Sequence, residues 1–495
     1  MQRTETRPGR ELSHDAIVVG GGHNGLVAAA YLARAGLRVR LLERLGQVGG
    51  AAVSAQLFDG VDARLSRYAY LVGLLPPRIV DDLGAAVRLA PRRYSSYPEV
   101  GEAADVREFY RRCRPVTQRL WPTLLEPLRT REAARRLVAR DPDASAAWQA
   151  MIEQPIGHAI VDGLSGDLVR GLVATDALIG TFARLDDPSL QQNVCFLYHL
   201  LGGQWRVPVG GMGAVTAALA TAAADHGAEI VTGADVYVVD PDGEVRYRRG
   251  DDECVVHGRV VLVGVAPAVL ADLLGEPQPA SNSGAQVKVN MLVRRLPRLR
   301  DDTATPEQAF TGTLHVNEAW TQLDTAYSQA AAGRLPDPLP CEVYCHSLTD
   351  PTILSPALRD SGAHTLTVFG LHTPHGLRGD LTGAVLASLN SVLAEPIQEV
   401  LMNDANGRPC IETLTTHDLE QSLNMPGGNI FHGGLSWPFA DDDDPLDTPA
   451  RQWGVATAHP RILLCGSGAR RGGAVSGIGG HNAAMAVLNL HRVWT

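Results

Sequence analysis

The chain contains no stretch of 18 uncharged apolar residues, so no membrane-spanning helix is expected. It also lacks any Lys/Arg run that could face a polyanion. With a formal charge of −10 over 495 residues, nucleic acid is excluded as the expected partner. Its seven cysteines (Cys113, Cys195, Cys254, Cys341, Cys345, Cys410 and Cys465) are scattered and odd in number. The closest pair, Cys341 and Cys345, does not have CxxC spacing, so neither a redox dithiol nor a zinc knuckle is expected. Idle thiols in a reducing cytoplasm match this pattern. The opening residues, MQRTETRPGRELS, have no apolar core for a secretory signal and read as a loose arm over 1–13. His372, His375 and His417 lack metal spacing, and the aspartates 441–444 lack the spacing of a calcium loop, so no metal is expected.

What is present is a soluble, globular composition, 45% hydrophobic and 20% charged, in a chain too long for one core. Two domains or three lobes are expected. The most readable stretch begins at AIVVG (16–20), a β-branched run ending in glycine, as a buried parallel strand does. From Asn24 the period becomes helical, with Leu26, Ala29, Ala30 and Ala33 on one small apolar face. Gly36 ends that helix, and LRVRLLE (37–43) alternates as a second strand.

Gly20, Gly22 and Gly25 stand between strand and helix as a G-x-G-x-x-G. Gly20 permits the tight turn, Gly22 the approach of a pyrophosphate, and Gly25 the packing of helix on strand. Free N–H groups and the positive end of the helix dipole would meet the phosphates. Glu43, 18 residues after Gly25, closes the unit where a carboxylate can accept the ribose hydroxyls. This predicts a dinucleotide site but does not separate NAD from FAD. Arg44 suits a 2′-phosphate or a stacked adenine equally well. Beyond the strand, Gly49 and Gly50 allow a loop to double back over the pyrophosphate.

With ERLGQVGGAAVS the chain resembles the phytoene desaturase and flavin amine oxidase superfamily, in which an acid is followed by a second glycine pair. VPVGGMGAVTAALATAAADHGAEIVTGADVYVV (207–239) and RVVLVGVAP (259–267) are similar to that superfamily's mid-chain segment and returning strand. RILLCGSGARRGGAVSGIGGHNAAMAVLNL (461–490) resembles its C-terminal flavin loop. LSRYAYLVGLLPPRIVDDLG (65–84) and DLEQSLNMPGGNIFHGGLSWPF (418–439) resemble the branch named for a pyridine nucleotide-disulphide oxidoreductase domain. A second G-x-G-x-x-G is missing, which disfavours a two-nucleotide disulphide reductase.

The resemblance implies an α/β fold: a Rossmann-type, glutathione-reductase-like FAD domain from 14–70, 205–275 and 455–495, interleaved with an α+β substrate domain. A mainly helical lobe is expected over 75–200 and a mixed sheet over 276–454. It further implies FAD as cofactor, with Val236 at the adenine and Gly466, Ser467, Gly479 and Asn482 along the ribityl chain and pyrimidine. The expected activity is hydride transfer from a substrate carbon to flavin N5, on a small, largely apolar molecule. An NAD(P)-dependent dehydrogenase and a non-catalytic flavin-binding scaffold are the alternatives. A cytoplasmic setting is expected, with peripheral membrane contact left open. His432, in NIFHGG, is a candidate acid–base group or a structural hydrogen-bonding residue. Arg470 and Arg471 are candidate anion clamps or surface ion-pair residues. They replace the His-Pro common in desaturases, and WPFADDDDPLDTPARQWG (437–454) replaces a further expected segment, so the substrate is less defined than the cofactor.

Overall fold

The computed structural model describes residues 14–98, 104–280 and 282–494; the expected arm over 1–13 lies outside the described residues. β1 (His14–Val19) buries Ala16, Ile17 and Val18 completely, as an apolar strand covered on both faces must. α1 (His23–Arg34) follows, and the chain returns as β2 (Val39–Glu43), parallel to β1 with Val18 opposite Leu41. Mid-chain, α2 (Met212–Asp225) leads to β3 (Glu229–Thr232), which adds to the far side of β2. β4 (Asp235–Val239), β5 (Glu244–Arg249) and β6 (Asp252–Val263) form a meander. β6 is long enough to pair antiparallel with β5 through its first half and parallel with β1 through its second.

Near the other end of the chain, Ile462–Leu464 pairs parallel with β6 and leads to α3 (Ile478–Trp494). Three distant stretches therefore build one seven-stranded sheet, in the order β3-β2-β1-β6-β5-β4 with Ile462–Leu464 also paired to β6. α1 is buried from Asn24 to Ala33 on every side, not along a single face. The reason is that α2 and α3 flank it while the sheet lies beneath. Small side chains make this possible: a Cβ on Gly480 of α3 would sit 2.0 Å from the Asn24 carbonyl oxygen of α1.

A second, six-stranded sheet is built largely from later strands. Its strands are β7 (Val287–Val293), β8 (Thr313–Val316), β9 (Cys341–Tyr344), β10 (His364–Gly370) and β11 (Ile411–Leu414), in the order β11-β7-β10-β9-β8. These are antiparallel, and Ser96–Tyr97 joins β8 in parallel at the edge. In β7, Val287, Val289, Met291 and Val293 enter the core beneath the sheet. Lys288 and Asn290 alternate with them onto the other face, yet are also buried.

Between 104 and 201 the chain forms a lobe of short helices. Leu120, Leu124, Leu125 and Leu128 recur at helical spacing but do not lie on one helix. The α-helix Ala104–Leu120 ends there, and Trp121–Leu125 tightens into a 3₁₀ turn around Pro122, which has no N–H to continue the ladder. No helix among the described residues is long and apolar enough to cross a membrane. The architecture is a mixed α/β fold with a Rossmann-type domain.

Candidate functional site

The turn after β1 is built for an anion. Gly20 takes a φ of +99°, and a Cβ on Gly25 would lie 2.1 Å from the Gly20 carbonyl oxygen, so only glycine lets α1 approach this closely. Gly22 differs: a Cβ there would meet nothing within 4 Å, because the residue faces a cavity. No side chain caps the N-terminus of α1, which leaves its first amides available to a phosphate. Glu43, at the end of β2, is held by two backbone donors. The N–H of Gly21 donates to Oε2 at 2.7 Å and that of Leu45 to Oε1 at 2.8 Å. A carboxylate fixed in this way keeps lone pairs for hydroxyl groups arriving from the cavity.

The cavity holds about 780 Å³, within the range of small-molecule and cofactor sites. Gly20, Gly22, Gly25, Glu43, Arg44, Gly50, Val236, Gly466 and Ser467 line it. Arg44 is tethered there, its Nη2 donating to the Ser422 carbonyl at 3.0 Å. Three other expected cofactor residues do not line it. The Gly49 N–H donates to the Gly21 carbonyl at 2.8 Å and secures the loop from behind. A Cβ on Gly479 would lie 2.7 Å from the Gly466 carbonyl oxygen, so this glycine is needed for packing. Asn482 is fully buried and its Nδ2 donates to the Leu124 carbonyl at 3.1 Å. An uncapped helix start, a glycine facing open space and a fixed carboxylate together suit the phosphates and ribose of a dinucleotide.

Further along, His23 and His432 face the same space. The Nε2–H of His23 donates to the Ala474 carbonyl at 3.0 Å. His432 sits at a φ of +62° and its buried Nδ1 has no hydrogen-bond partner. Burial pushes both imidazoles down to about 4, with the two rings disfavouring each other's charge as the lesser cause at His432. The two arginines expected as anion clamps lie elsewhere. Arg471 is buried, its Nη1 donating to the carbonyls of Thr123 (2.9 Å) and Glu126 (2.8 Å) and its Nη2 to that of Trp453 (3.1 Å). Arg470 bonds the Phe439 carbonyl at 2.5 Å and pairs with Asp444 at 3.1 Å. A turn in which Arg471 takes a φ of +69° directs it into the helical lobe.

Sequence reasoning passed over the middle of the cavity. Lys288, the only lysine in the chain, projects into it from β7. Its Nζ donates to the Ser66 carbonyl at 2.6 Å and the Arg67 carbonyl at 2.8 Å, and lies 5.0 Å from the ring centre of Tyr70. Burial pushes its pKa well below the usual lysine value, opposed by the charge of Glu412. Tyr70 packs against Tyr344 and Phe369 at 4.9 and 6.1 Å between ring centres, giving the cavity an aromatic wall.

The inner end is polar. Asp176, His199, His315 and Glu342 line it, with Arg92 beside them. Asp176 Oδ1 lies 3.1 Å from His199 Nε2. Burial raises Asp176 to about 7 and lowers His199 to about 4, so the neutral form of each is favoured. Glu342 is likewise raised to about 7, by burial and then by Glu318.

Residues 18–72 match the family model for an NAD(P)-binding Rossmann-like domain. The chain is 69% identical to the uncharacterized protein Rv0897c of Mycobacterium tuberculosis, over 96% of this chain and 97% of that one. It is 28% identical to pyridine nucleotide-disulfide oxidoreductase domain-containing protein 2 of Rattus norvegicus, over 96% and 93% of the two chains. Cyclohexylamine oxidase from Brevibacterium oxydans shares the fold with a TM-score of 0.56 at 14% identity, covering 97% of this chain and 99% of that one.

Proposed function

From the premise that the chain belongs to one family with Rv0897c, we propose that it is an FAD-dependent oxidoreductase of the phytoene desaturase and flavin amine oxidase superfamily. The observation that carries this reading is the continuity of one cavity, from the amides of the first βα turn to the second sheet. Bound FAD supplies the hydride acceptor, and the substrate carbon that gives up the hydride becomes part of a C=C or C=N bond. The protein's share is binding and positioning. Gly22, the start of α1 and Glu43 hold the nucleotide half, while Gly466 and Ser467 border the path toward the second sheet. Tyr70, Tyr344 and Phe369 orient an apolar substrate body and exclude water. Lys288, held by two carbonyls in a dry wall that favours the free amine, is suited to take up a proton. Asp176 and Glu342 at the inner end favour a substrate with a polar head over a wholly apolar polyene.

An NAD(P)-dependent dehydrogenase draws support from the matched Rossmann-like segment alone. Against it stands the C-terminal loop, which shares the same cavity where a nicotinamide enzyme would need a separate substrate domain. Heat release of the chromophore distinguishes the two: a yellow supernatant with flavin absorbance is expected. Anaerobic mixing with panels of amines and of polar-headed alkenes should bleach that absorbance without added NAD(P)H. A colourless protein that gains nucleotide only from NAD(P)H would overturn the proposal, and a yellow protein that no member of either panel bleaches would favour the scaffold.

A further inference from the structure

His315 and Glu342 stand directly opposite each other on the antiparallel strands β8 and β9, so their side chains share a face. Two residues past the end of β8, the chain turns back and brings Glu318 Oε2 onto His315 Nδ1. One ligand atom from each of the three residues can be chosen so that all lie within 4.8 Å of one another. Glu318 and Glu342 are only 1% and 3% exposed. The second oxygen of Glu318, Oε1, is buried without a hydrogen-bond partner. Such an atom is costly to leave unpaired in a protein interior.

From this geometry we propose that His315, Glu318 and Glu342 bind a divalent metal ion at the inner end of the cavity. One imidazole and two carboxylates form a mixed N/O set, which suits Zn²⁺, Mn²⁺ or Fe²⁺ better than Ca²⁺, whose sites need six or more oxygens. The surroundings support the set. The hydroxyl of Tyr344 donates to Glu342 Oε2 and fixes that carboxylate from behind. The helix Asp167–Ala174 packs against the Glu318 backbone at Gly171, where a Cβ would fall 1.8 Å from the Glu318 carbonyl oxygen. The carboxyl of Asp176 adds to those of Glu318 and Glu342 here, and a divalent ion would offset their mutual repulsion. His315 and Glu342 line the cavity, which gives the ion an entry path and leaves a coordination position facing the substrate space. The site does not depend on the flavin reading, since none of its ligands lies in the nucleotide-holding turn.

The test uses the full-length protein as purified, treated with chelator and then titrated calorimetrically with Zn²⁺ and, separately, Mn²⁺. One equivalent of at least one ion should bind with micromolar or tighter affinity and raise the melting temperature as its concentration exceeds Kd. Glu318→Gln and Glu342→Gln should each weaken binding at least tenfold, whereas His375→Gln, remote from the cluster, should bind as the parent does. Absence of a one-equivalent site in the parent for either ion would overturn the proposal, and so would parent-like affinity in both glutamine variants. The parent titration is decisive by itself, even if one variant fails to fold.

Discussion

At the scale of single residues, the glycines of the first turn have different jobs that substitution should separate. Gly22 adopts φ −67° and ψ 170°, which alanine tolerates, and its Cβ would enter open cavity. Gly22→Ala should therefore leave the apo protein as stable or up to about 1 kcal/mol more stable. FAD affinity, measured by fluorescence titration, should nonetheless fall at least tenfold, or roughly 1.4 kcal/mol. In Gly25→Ala the added carbon meets the Gly20 carbonyl oxygen at 2.1 Å, so the fold itself should lose about 1–3 kcal/mol in urea unfolding. Lys288→Met tests the middle of the cavity. Flavin should stay bound, while substrate-driven bleaching in stopped flow slows about 100-fold or more if the amine takes up the proton. An unchanged bleaching rate would remove Lys288 from the chemistry.

At the scale of elements, the first βαβ unit was legible because its signals are local. Strand, glycine turn, helix and Glu43 fall within about thirty residues and each imposes its own backbone geometry. The inner half of the cavity was not legible in the same way. Lys288, His315 and Glu342 come from strands separated by loops, and a strand alternating Val287, Lys288, Val289, Asn290 reads as one with a wet face. That face is buried by segments distant in sequence, such as residues 66–70 laid against Lys288. The arginine pair reads two ways in the sequence, as anion clamp or as ion-pair residues; Arg470 pairs with Asp444, and a left-handed turn points Arg471 away from the cavity. Arg471 is instead a staple between the C-terminal loop and the turn at Thr123–Glu126. Arg471→Leu should unpair three carbonyls and cost roughly 2–4 kcal/mol in denaturant unfolding. A loss below about 0.5 kcal/mol would show that the staple is dispensable.

At the scale of the whole molecule, buried histidines govern acid behaviour. Burial holds His23, His199, His372, His432 and His481 at about 4 and His346 at about 3, against 6.5 for an unperturbed imidazole. As pH falls from 6.5 toward 4, the unfolded chain takes up these protons and the folded chain does not. Stability is thus full above pH 6.5 and drops on acidification, by roughly 1.4 kcal/mol per pH unit for each such histidine. Asp176 and Glu342, raised to about 7, act the other way, losing their contribution as pH rises toward neutrality. The six histidines outnumber these two carboxyls together with Glu318, which burial also raises, so the melting temperature should fall steadily between pH 6.5 and 5 in calorimetric scans. A melting temperature flat across that interval would mean that the imidazoles are solvated.

The sheet that carries the nucleotide turn also sets a timetable for biosynthesis. Its strand at Ile462–Leu464 and the helix against α1 are translated long after β1 and α1. While the ribosome is still working, Leu26 to Ala33 have one wall but not the other, and an apolar helix is left for chaperones to shield. The flavin proposed above could be captured only after that strand has emerged, so flavin shortage should show first as newly made protein that is degraded, not as mature protein that is inactive.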